Sequence, residues 1–67
     1  MHKLIHQDSN GYTTIWDEWD KKPTTEDLMN LLLQYYDEKI AAQLAKELLL
    51  DGDSYVHDFS NTQFFLT

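Results

Sequence analysis

Cysteine is absent from this 67-residue chain, so neither disulfides nor thiolate metal sites can support the fold, and thiol chemistry is closed to it. Arginine is absent as well. Five lysines against twelve acids leave a net charge of −7, the wrong sign for gripping phosphates or an anionic membrane surface. Direct nucleic-acid binding and membrane binding are therefore not expected. No apolar run approaches the ~18 residues of a membrane span. The opening Met1-His2-Lys3-Leu4 also lacks the long apolar stretch of a secretory signal, and the expected location is the cytoplasm. With two glycines and one proline, the chain is poor in the loops that carry most active sites. It has no glycine-rich phosphate loop and no nucleophile elbow.

What is present suffices for a fold. Apolar residues make up 42% of the chain and aromatics 13%, well outside the composition of disordered chains. The length allows one small domain, residues 1–67. A chain this short buries only about 60% of the surface its unfolded form exposes. Its stability must come from packing, a metal or a partner.

Asn10-Gly11 is a strong hairpin signal, because a two-residue type I′ turn needs positive φ at both central positions. Such a turn places Ile5 opposite Trp16, Lys3 opposite Glu18, Leu4 opposite Asp17, His6 opposite Ile15 and Gln7 opposite Thr14. That register puts Ile5, Trp16 and Tyr12 on one face and Leu4, Ile15 and Trp19 on the other. Pro23 ends the strand pattern. Thr24 or Thr25 then caps a helix whose first turn holds Glu26 and Asp27, beside the positive end of the dipole.

Leu28, Leu31, Leu32, Tyr35 and Tyr36 recur at helical spacing. At about 100° per residue this stripe faces the opposite way from Ile40, Ala41, Leu44, Ala45 and Leu48. One straight helix cannot serve both. The phase predicts a break around Tyr36–Glu38, with Asp37 capping a second helix that Gly52 ends in the left-handed conformation. Ser54–Phe59 is rich in strand formers, with Tyr55, His57 and Phe59 on one face. Ser60-Asn61 is turn-like, and Thr62–Thr67 can return as a further strand. Phe64, Phe65 and Leu66 are then either core or a docking peptide. The expected fold is α+β in ββααβ order, with a fourth strand if the tail pairs.

Candidate chemistry is sparse. His2, His6 and His57 show no spacing that converges several ligands, and His57 and Asp58 alternate across a strand, so they cannot form the oriented pair of a triad. Asp51-Gly52-Asp53 resembles the start of a calcium loop but lacks its closing glutamate, so solvated acids around a helix cap explain it. No catalytic residue, cofactor or metal is expected. A metal-dependent or hydrolytic enzyme using His6 or His57 is the weakest reading.

The acidic balance says more. Between Asp17 and Asp27, Asp17, Glu18, Asp20, Glu26 and Asp27 face only Lys21 and Lys22. These acids can be a solvated surface that also serves the helix dipole. They can also steer a basic partner, with Trp19 as an aromatic anchor in a charged rim and Trp16, Tyr35 and Tyr36 as further rings. Duplex DNA carries a charge about every 1.7 Å, and these interrupted acids resemble it only locally. The expected function is a small acidic protein-binding module. It would act as an inhibitor or adaptor on the basic, nucleic-acid-binding surface of a larger protein, of a kind found in phages and mobile elements. The partner-binding residues would be Asp17, Glu18, Trp19, Asp20, Glu26 and Asp27. The alternative is a non-catalytic homodimer, built on one hairpin face and the apolar tail.

Overall fold

The computed structural model describes residues 1–56 and 61–67. Strands β1 (His2–Gln7) and β2 (Thr13–Trp19) form the expected hairpin, followed by helices α1 (Thr25–Leu32) and α2 (Glu38–Asp51) and strands β3 (Asp53–Val56) and β4 (Thr62–Leu66). The strands make one antiparallel sheet in the order β2-β1-β4-β3. The last strand in sequence therefore sits inside the sheet. The fold is α+β, in the predicted order and with the fourth strand formed.

The hairpin register departs from the two-residue turn. Gly11 N–H donates to Asp8 C=O and Asp8 N–H to Tyr12 C=O, each at 3.0 Å, and Gly11 has φ +86° whereas Asn10 stays out of the positive region. This is a three-residue loop, Ser9-Asn10-Gly11, with the left-handed residue supplied by glycine. Asp8 Oδ1 also accepts the N–H groups of Asn10 (2.9 Å) and Tyr12 (3.0 Å), which fixes the loop. The inner pairs are accordingly Gln7–Thr13, His6–Thr14 and Ile5–Ile15, not Gln7–Thr14, His6–Ile15 and Ile5–Trp16. A bulge opposite Leu4 and Ile5 absorbs one extra residue, Trp16. Beyond it Leu4–Asp17 and Lys3–Glu18 pair as predicted.

The bulge redistributes the faces. Trp16 turns to the helix side with Leu4, and Ile15 lies with Ile5 on the open side, the reverse of the sequence-based assignment. Trp16 packs its ring on His6 (centroids 4.7 Å apart), Tyr35 (4.3 Å) and Phe64 (4.9 Å).

Both helices begin where their caps dictate. Thr24 and Asp27 form a reciprocal capping box: Asp27 N–H donates to Thr24 Oγ1 and Thr24 N–H to Asp27 Oδ2. Asp37 Oδ1 accepts the Ile40 N–H at 2.8 Å. α1 stops at Leu32, four residues before its apolar stripe ends. Gln34 and Tyr35 N–H bond three residues back, to Leu31 and Leu32, and this tightened turn swings Tyr35 and Tyr36 over the sheet. Gly52, at φ +81°, closes α2 by donating to Leu48 C=O.

The core lies between the helices and one sheet face: Leu4, Leu28, Leu32, Ala41, Leu44, Ala45, Leu48, Val56 and Phe64. Phe64 is fully buried and β4 pairs on both sides, so the tail builds the core. Thr67 is tied to β1 as well, its N–H donating to Lys3 C=O at 3.0 Å. The predicted placement of His57 and Phe59 beside Tyr55 falls outside the described residues.

Candidate functional site

The acidic segment leaves the sheet at the end of β2 and enters α1. Asp17, Glu18, Asp20, Glu26 and Asp27 are all exposed, because the segment runs over the surface between buried Leu4 and buried Leu28, with Pro23 pinned inside. Their side chains are not equivalent. Asp27 is committed to the α1 cap through the Thr24 N–H, and Asp17 Oδ1 accepts the Glu18 N–H at 2.8 Å. Glu18, Asp20 and Glu26 project from the surface with no structural duty to the backbone. Trp19 is half-buried and packs against the core. It is an anchor of the domain more than of an exposed rim.

Lys21 and Lys22 do not neutralise this surface equally. Lys22 lines a cavity with His2, Leu48, Leu49, Leu50, Gly52, Leu66 and Thr67, at the end of α2 where carbonyl groups gather and a cation is favoured. The acids are left in the majority beside α1.

The sequence pattern did not single out an apolar feature that begins at Thr25, the chain neighbour of Glu26. Thr25, Lys46, Leu49 and Leu50 line an open groove of about 480 Å³ between the start of α1 and the last turns of α2. Leu50 is 76% exposed. The available signal was its phase: Leu50 falls off the α2 stripe carried by Ala41, Leu44, Ala45 and Leu48.

The chain matches no known protein family. Neither curated proteins nor solved structures yield a significant match.

The described histidines, His2 and His6, take ordinary places. His6 is sandwiched between Trp16 and Phe64, and His2 Nδ1 lies 3.0 Å from Thr67 C=O. Among the described residues no group of three His, Asp or Glu side chains could hold a metal ion, and none of the helices is long and apolar enough to cross a membrane. One carboxylate is tuned by its surroundings. Glu47 accepts hydrogen bonds from Ser54 Oγ (2.5 Å) and Gln43 Nε2 (3.2 Å), and these hold its pKa below the ordinary value despite a small opposing effect of burial. Ser54 is buried, so this bond ties α2 to β3.

Proposed function

We propose that this chain is a cytoplasmic, non-catalytic binding module. Its acidic surface occupies the basic, nucleic-acid-binding surface of a larger protein and acts there as an inhibitor or adaptor. The observation that carries this reading is the run of exposed carboxylates from Asp17 to Asp27, which at Thr25 meets the groove lined by Lys46, Leu49 and Leu50. An apolar spot inside a charged rim is the usual make-up of an interface hot spot. The two parts act differently. Glu18, Asp20 and Glu26 steer a cationic partner and set its orientation, while burial of Leu50 slows its release. The net charge of −7 works in the same direction at longer range, within the Debye length.

The test is retention on immobilised protein, first of a lysine-rich polypeptide and then of proteins from a host lysate identified by mass spectrometry. Wild type should retain the polypeptide and basic nucleic-acid-binding proteins, and salt should release them. Asp17→Lys/Glu18→Lys/Asp20→Lys should retain neither. Equal retention by the two proteins would show that the acidic surface recruits no partner.

A further inference from the structure

We infer that two copies of this chain join through the free edges of β2 to form one continuous eight-stranded sheet. Hydrogen-bond parity locates that edge. Asp8 donates to Tyr12 C=O, which makes Asp8–Tyr12 a hydrogen-bonded pair. Alternation along an antiparallel ladder then makes His6–Thr14 hydrogen-bonded and turns the main-chain groups of Thr13 and Ile15 away from β1. The other side of β1 agrees: Thr67 N–H bonds Lys3 C=O, so the odd residues of β1 serve β4 and the even ones serve β2. With β2 outermost in the sheet, Thr13 and Ile15 present N–H and C=O groups to whatever lies alongside.

Natural edges are usually blunted, and the far end of β2 is. There the bulge at Trp16 bends the strand, and Asp17 Oδ1 occupies the Glu18 N–H. Tyr12-Thr13-Thr14-Ile15-Trp16 has no such protection. It carries no charge, proline or glycine and consists wholly of strand formers. Tyr12 and Ile15 are 72% and 51% exposed.

The segment is complementary to itself. A two-fold axis at Thr14 pairs the outward groups of Thr13 with those of Ile15 in the second copy, and the reverse. On the helix side, Tyr12 meets Trp16 of the second copy, whose ring already packs, tilted by 37°, against the 60%-exposed Tyr35. On the open side, Thr13 meets Ile15. Thr14 meets Thr14. Aromatic pairs and β-branched pairs are the favourable cross-strand combinations. The same register sets Asp17 and Glu18 beside Gly11 and Asn10 of the second copy, and Asp20, past the end of β2, opposite its Asp8. A closed two-fold contact of this kind uses both edges and does not propagate.

Sedimentation equilibrium over a range of concentrations tests the inference, with amide exchange as a site-specific readout. Wild type should reach twice the 8.0 kDa chain mass, at low and high salt alike, and the Thr13 and Ile15 amides should gain protection as concentration rises. Ile15→Pro removes the outward N–H, which an edge strand tolerates, together with the side chain that meets Thr13 of the second copy. It should weaken the dimer about tenfold or more, with the circular dichroism spectrum unchanged. Thr14→Glu sets like charges directly opposite one another across the axis and should do the same at an exposed position. A mass of 8.0 kDa at every concentration overturns the inference, whether the edge stays empty or takes a strand of another protein. So does a dimer that survives both substitutions. The result is independent of the acidic-surface reading, which predicts salt-sensitive binding by monomer and dimer alike.

Discussion

Trp16 stacks on His6 with ring centroids 4.7 Å apart and planes 16° from parallel, although the register partner of His6 is Thr14. The contact exists because the bulge gives β2 one residue more than β1 requires, and that residue turns its indole onto the helix side. There it bridges His6, Phe64 and Tyr35. Trp16→Ala should cost about 2–3 kcal/mol, less than the ~3–5 of a fully buried ring because Trp16 is only half-buried. Urea unfolding monitored by far-ultraviolet circular dichroism measures it. A change within a few tenths of a kcal/mol would show that the cluster does not support the fold.

Phe64 should be far less tolerant. It is fully buried and touches Trp16, His6 and Tyr36, so Phe64→Ala should cost about 3–5 kcal/mol, comparable to the whole stability of a domain this small. Loss of a cooperative melt is the expected result. A normal melting curve after removal of residues 64–67 would contradict the placement of β4 inside the sheet.

The helix ends make a graded series. Asp37→Ala and Thr24→Ala each remove a side-chain acceptor for orphan N–H groups and should cost about 1 kcal/mol. Gly52→Ala should cost about 1 kcal/mol for a different reason. The added Cβ would lie 3.6 Å from Leu66 O, an ordinary contact, so the penalty comes from holding φ +81° with a side chain. Melting temperatures should fall by roughly 4–8 °C for each kcal/mol.

Acid should weaken the fold partly through Glu47. Its folded pKa lies below the unfolded one because Ser54 and then Gln43 donate to the carboxylate. The stabilisation is therefore present above the unfolded value and is lost as pH falls through the folded value. Glu47→Gln should flatten that part of the stability curve between neutral and acidic pH. An unchanged acid slope in denaturant titrations would show the Glu47–Ser54 bond to be dispensable.

Most of the architecture is legible in local chemistry. The phase jump between the Leu28 and Ile40 stripes, the Asp37 cap and the Gly52 stop are signals carried by single residues and their spacing, and each appears in the structure. The hairpin was legible only in part. Asn10-Gly11 suits a two-residue loop or a three-residue loop with glycine left-handed, and no side chain announces a bulge, so the inner register slipped by one. The position of β4 between β1 and β3 depends on long-range pairing that no local pattern encodes. For the candidate site, exposure of the five carboxylates followed from charge alone. The partial burial of Trp19 and the Leu49–Leu50 groove depend on tertiary packing that no local pattern encodes.

Recruitment of a basic partner by the exposed carboxylates is an electrostatic effect, and salt screens it. The most direct measurement is the affinity of a lysine-rich polypeptide for wild type and for Asp17→Lys/Glu18→Lys/Asp20→Lys, titrated at several salt concentrations. Wild type should bind with an affinity that weakens steeply with salt, and the variant little or not at all, with both proteins melting alike because exposed charges contribute little to stability. Equal, salt-independent affinity for the two would contradict it.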